Sequence, residues 1–94
     1  MAVSKIPNQF RLVRKSVNTG SFSIGANSGV TKSIPFTVDA GYSFFGILRV
    51  NTTSATITIG NTYVDGSNFS CTVMNIDSSA KNITVYIDYL ISKG

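Results

Sequence analysis

The chain has 94 residues, 43% hydrophobic and only 13% charged, with a net charge of +4 and no histidine. That length allows one domain, and the missing imidazole excludes Ser/His/Asp and Cys/His catalysis as well as Cys/His zinc sites. Solubility falls to neutral side chains, 13 Ser, 10 Thr and 8 Asn, a composition typical of extracellular or virion β-proteins.

Residues 1–9, with Pro7, read as an extended lead-in; residues 1–20 form a basic N-terminal arm or first strand, and 21–94 a single β-sandwich domain. Phe10, Val13 and Val17 fall at helical spacing while Phe10 and Leu12 also fit a frayed strand, and the strand reading is preferred. Next come a short strand over 21–24, a turn at 25–29, and a run over 30–38 with Ile34, Phe36 and Val38 in phase. Pro35 makes that run an edge strand or a bulged one. Over 42–50, Tyr42, Phe44, Leu48 and Val50 face one way with Gly46, and Phe45 and Ile47 the other. Residues 55–59 alternate through Ile57 and Ile59; turns are read at Gly60-Asn61 and Asp65-Gly66.

The strand over 69–74 is expected to pair with the terminal strand across a loop at 75–81. That terminal strand, 82–91, sets Ile83, Val85, Ile87, Tyr89 and Ile91 on one face and Thr84, Tyr86, Asp88 and Leu90 on the other. With apolar groups on both faces, it must lie centrally in a sandwich or press one face against another subunit. About seven short strands with turns between them describe an all-β, antiparallel β-sandwich, jelly-roll-like in character. A compact monomer of this mass buries about 64% of its extended-chain surface, a thin margin that oligomerisation would widen.

From Tyr42 onward the order of signals is distinctive. Phe44-Phe45-Gly46-Ile47 is followed by a Ser/Thr loop, Ile57-Thr58-Ile59, a strand from Phe69 to Val73 closing on Asn75, a Ser78-Ser79-Ala80 loop and the terminal strand. This half of the chain resembles the small C-terminal β-domains of bacteriophage tail-fibre and related virion proteins. The resemblance implies a homotrimeric β-sandwich at a fibre tip or on the virion surface, serving trimer assembly or adhesion to bacterial surface glycans. It departs from that pattern by opening with its own Met and a short basic arm in place of a fibre shaft.

Few residues suggest chemistry. Asp39, Asp65 and Asp77 sit in expected turns, where Asp bonds its own backbone, and nothing sets two carboxylates across a sugar as a glycosidase requires. Asp65-Gly66-Ser67-Asn68 offers oxygen ligands but lacks the ladder of a calcium loop. Cys71, alternating with Phe69 and Val73, reads as a small buried hydrophobe. The triplets at Asn51, Asn68 and Asn82 match the glycosylation pattern, as chance allows in so Asn/Ser/Thr-rich a chain. No cofactor and no metal is expected.

Three groups of candidates remain. Tyr63, beside Asp65 and Asn68, combines a flat ring with polar groups and suits a glycan contact, although packing is the commoner use of a tyrosine. Arg49 and Asp88 both lie within strands and, if neighbours, form a cross-strand ion pair fixing register or an assembly interface; otherwise each is a solvated or edge charge. Arg11, Arg14 and Lys15 belong to the basic N-terminal excess, with Lys5 and Lys32, and suit anchoring to other virion proteins. With Phe10 they also form a basic strip for nucleic acid, which no signature supports. Residues 1–15 lack an apolar signal core and no stretch is long enough to span a membrane, so synthesis in a cytoplasm is expected; the bacterial host and a place on the virion surface are what the phage resemblance implies. The sequence reads as a non-enzymatic, trimeric virion module, with a lectin-like carbohydrate-binding module as the alternative.

Overall fold

A computed structural model describes residues 11–93, all of whose regular structure is β. The lead-in 1–9 with Lys5, and Phe10, lie outside the described residues. Eight strands follow in order: β1 (Arg11–Asn18), β2 (Phe22–Ile24), β3 (Ser28–Pro35), β4 (Ser43–Thr52), β5 (Ile57–Asp65), β6 (Asn68–Asn75), β7 (Lys81–Ile83) and β8 (Val85–Lys93). All pairing is antiparallel, in two three-stranded sheets, β1-β8-β4 and β3-β6-β5, and a two-stranded ribbon, β2-β7.

The two ends of the described chain run against each other as one long ribbon folded into the sandwich. Arg11 pairs with Lys93 and Asn18 with Tyr86; the ribbon continues through Phe22 with Ile83, and then from Ser28 with Asn75 to Pro35 with Asn68. At the first corner Gly20 takes φ +70°, a conformation glycine adopts without steric cost. Thr19 clamps this corner from both sides. Its amide donates to the Val85 carbonyl at 3.0 Å, and its hydroxyl accepts the Val85 amide at 3.0 Å. β4 then joins β8 and β5 joins β6, so β8 and β6 become the central strands.

Alternation explains why these two strands are central. Val85, Ile87, Tyr89 and Ile91 of β8 are all buried, as are Phe69, Cys71 and Val73 of β6, and each fully buried side chain of this size contributes about 1.5–3 kcal/mol. The facing rows meet in an aromatic cluster. Phe69 stacks on Phe36 with ring centroids 4.1 Å apart and meets Tyr89 edge-on at 5.2 Å, while Phe44 of β4 closes on Phe69 at 5.8 Å. Tyr89 keeps its hydroxyl satisfied by donating to the Thr37 carbonyl at 2.7 Å.

Several expectations need correction. The strand at 69–74 does not pair with the terminal strand: β6 pairs with β3 and β5, and β8 with β1 and β4. Two strands that each bury a full inner row gain more as the centres of opposed sheets than as neighbours. Gly60-Asn61 is not a turn, because β5 runs through it with a bulge between Gly60 and Tyr63. In β4, Phe44, Ile47 and Val50 are the residues packed against the core. Register shifts between Phe44 and Gly46 and between Ile47 and Arg49 insert Phe45 and Leu48 as extra residues, reversing the phase twice. The Asp65-Gly66 turn is present as a two-residue hairpin loop, with Gly66 at φ +64° and Asp65 paired to Asn68. The order β1-β8-β4 and β3-β6-β5 is that of an antiparallel sandwich; it does not by itself assign a jelly roll.

Candidate functional site

Residues on the outer face of the β1-β8-β4 sheet follow from register. Asp88 of β8 pairs with Ser16 on β1 and Arg49 on β4, and Arg14 pairs with Leu90 one outward position along. The Asp88 carboxylate therefore lies between two guanidiniums from two different strands. Arg14 Nη2 donates to its Oδ2 at 2.6 Å, while Arg49 Nε stands 3.9 Å from the same oxygen, too far for a hydrogen bond. The hydrogen bond from Arg14, then that from Ser16, hold the Asp88 carboxyl below the usual range against the opposing effect of burial. Arg49 and Asp88 are thus brought opposite each other as cross-strand neighbours, in an ion pair at 3.9 Å that is secondary to the closer, diagonal Arg14 contact.

The same face carries apolar side chains that a solvated sheet would not need. Phe45 is 53% exposed, Leu48 50%, Leu12 44% and Tyr86 42%. Phe45 and Leu48 owe their position to the bulges, which set each beside an outward neighbour, Gly46 opposite Leu90 and Arg49 opposite Asp88.

The lateral edges are different in kind. β1 approaches β3 along one side of the sandwich and β4 approaches β5 along the other. Lys15 sits in the inward row of β1, between Val13 and Val17, and binds Asp39 at 2.9 Å. That hydrogen bond is the chief reason its ammonium is held above the ordinary range. Lys32 sits in the inward row of β3, between Val30 and Ile34, with its ammonium 4.4 Å from the Phe22 ring centroid. On the other side β4 has two bulges and β5 one. Inward lysines, a terminal proline on β3 and bulges are the devices that stop a sheet edge from accepting another strand.

The signal for the two lysines was present in the sequence, as Val13-Lys15-Val17 and Val30-Lys32-Ile34. A cation in the apolar phase of an alternating run marks an edge. Of the N-terminal candidates, Arg11 is exposed at the start of β1, Arg14 belongs to the Asp88 site and Lys15 to the edge.

Tyr63, Asp65 and Asn68 share the outer face of the β3-β6-β5 sheet. Tyr63 pairs with Ser70 and Asp65 with Asn68, two positions along the same strands. Tyr63 is 47% exposed, and Thr31, Ser33 and Thr72 continue this face as small hydroxyl-bearing side chains.

Elsewhere polar groups serve the fold. Asn75, 1% exposed, donates its amide to the carbonyls of Gly25 and Ser79 at 3.0 Å each and accepts the Asp77 amide at 3.0 Å, tying the turn after β2 to the loop after β6. Asp77 is held below the usual carboxylate range first by Lys81, 3.2 Å away, and then by the Ser79 amide. Burial pushes the Cys71 thiol above its ordinary range, and Lys32 opposes this only in part. Among the described residues, no group of three or more Cys, Asp or Glu side chains is placed to hold a metal ion. No family model, curated protein or solved structure matches the chain.

Proposed function

We propose that the chain is a non-enzymatic structural module of a bacteriophage virion, a trimeric tail-fibre tip or capsid-surface domain that assembles with copies of itself and adheres to bacterial surface glycans. One observation carries the assembly half of this reading. The sandwich blunts its lateral edges with charge, proline and bulges, yet its β4 bulges hold Phe45 and Leu48 about half exposed on a broad sheet face. Such a module is suited to joining through faces and not through added strands. Its low charge and Ser/Thr/Asn-rich surface fit a protein that works outside the cell, and the resemblance in its C-terminal half supplies the virion setting.

The second reading, a lectin-like carbohydrate-binding module independent of a trimer, is favoured by Tyr63 lying with Asp65, Asn68 and Ser70 on one hydroxyl-rich face. Incubation of the purified protein with bacterial surface polysaccharide tests the non-enzymatic claim. Binding without shortening of the polymer is expected. Hydrolysis that disappears when Asp65 or Asp39 is replaced by Asn would overturn it.

A further inference from the structure

We infer that copies of this chain associate head to tail, with the β4 bulge region of one copy, around Leu48 and Arg49, seated on the β5 hairpin end of the next, around Tyr63 and Asp65. The inference rests on the assembly reading above and names the contact.

Charge is the first argument. Asp39, Asp77 and Asp88 each take part in an ion pair, whereas Asp65 has none among the described residues. Arg49 is the complementary case: it has only a loose ion pair, its Nε 3.9 Å from an Asp88 carboxylate that Arg14 holds at 2.6 Å, and its side chain is 64% exposed. The two lie on the outer faces of opposite sheets, so one molecule cannot bring them together. Two molecules can.

Apolar surface is the second argument. Leu48, at 50% exposure, adjoins Arg49, while Tyr63 at 47% lies two positions from Asp65 on the same outer face. Each charge is therefore set beside apolar surface, the arrangement of an interface core with a polar guide. Because the two patches lie on the outer faces of different sheets, one patch meets the other and not itself, so the contact is heterologous; it closes as a ring where the rotation between successive copies closes and otherwise extends as a filament.

Charge exchange tests it, read as the association midpoint in a light-scattering dilution series. Asp65→Arg, which breaks no ion pair within the chain, and Arg49→Asp are each expected to weaken association about tenfold or more, and the double variant to regain it. Melting curves confirm that each variant is folded, and Arg49→Gln, which adds no charge next to Asp88, guards against local damage in Arg49→Asp. Unchanged association in Asp65→Arg and Arg49→Gln overturns the contact, as does failure of the folded double variant to recover. Loss of glycan binding by Asp65→Arg at unchanged association also overturns it and assigns the face to sugar. If the unaltered protein is a single chain at every concentration, the assembly reading itself fails; if it is a trimer insensitive to these changes, only the contact named here does.

Discussion

Arg14 and Asp88 sit diagonally across the β1–β8 ladder, with the guanidinium Nη2 2.6 Å from the carboxylate Oδ2, although the register partner of Arg14 is Leu90 and that of Asp88 is Ser16. The contact ties the first described strand to the last and makes the Asp88 charge a stability term with a definite pH dependence. Its folded pKa lies below the unfolded value, so its contribution is fully present above the ordinary carboxylate pKa of about 3.9 and is lost as pH falls through the folded value. Asp88→Asn is expected to be less stable than the unaltered chain at pH 6, with the gap closing as the pH falls below the ordinary carboxylate range. Urea midpoints measured across that range check it; a gap that is constant with pH would show that the charge is immaterial. Asp77, also lowered by Lys81, leaves a smaller acid limb in the variant.

Asn75 is expected to be among the costliest polar positions. Replacing it with Ala removes the amide that satisfies the Gly25 and Ser79 carbonyls and the oxygen that accepts the Asp77 amide. A loss of about 2–3 kcal/mol should follow, readable by chemical denaturation. Asn75→Asp sets a carboxylate against those carbonyls, so its deficit should shrink as the pH is lowered and the side chain becomes a donor. A deficit below that of an ordinary surface change, about 0.5 kcal/mol, would contradict the role.

Thr52 offers the opposite sign. Its hydroxyl oxygen is buried with no hydrogen-bond partner, so Thr52→Val exchanges an unsatisfied polar atom for a methyl group of similar size. The variant should be more stable by about 1 kcal/mol. A lower melting temperature would mean that the hydroxyl is in fact bonded.

How much of this was legible depends on what period-two alternation encodes. The inner row of β8 could be read residue by residue, because Val85 to Ile91 alternate without interruption, but the single strand read over 82–91 is broken at Thr84, and the residues before it, in β7, pair with β2 instead. The partner of β6 could not, since alternation says which face is buried and not which strand lies beside it. In β4 two extra residues at Phe45 and Leu48 reset the phase, so strict alternation grouped Leu48 with Phe44 and Val50 and set Ile47 apart, whereas Ile47 is the one that shares the core face with them. The Arg49–Asp88 juxtaposition was open to a guess from two charges within strands. Arg14 was not, because its place beside Asp88 depends on the β1–β8 register. Tyr63, Asp65 and Asn68 were adjacent in sequence, and the hairpin keeps them on one face.

The inward lysines predict an aggregation phenotype. Lys15→Val and Lys32→Val together remove the charges in the inward rows of β1 and β3, leaving two apolar edges able to accept strands. Faster aggregation on gentle heating, with little loss of melting temperature, is the expected outcome. Turbidity matching that of the unaltered protein would show that other features protect those edges.

Phe45→Ser with Leu48→Ser probes the sheet face directly. Both side chains are already about half in water, so the pair should cost the fold only about 1–3 kcal/mol and leave it folded, whereas assembly should weaken. Equal association by the folded variant would remove that face from the interface.

The central claim is that a sandwich closed along its edges still needs neighbours over its faces, and molar mass by light scattering behind a sizing column tests it most directly. The account predicts a peak at three times the 10.0 kDa chain mass, shifted towards a single chain by the Phe45→Ser/Leu48→Ser pair. A peak at one chain mass, unmoved by concentration or by those substitutions, would contradict it.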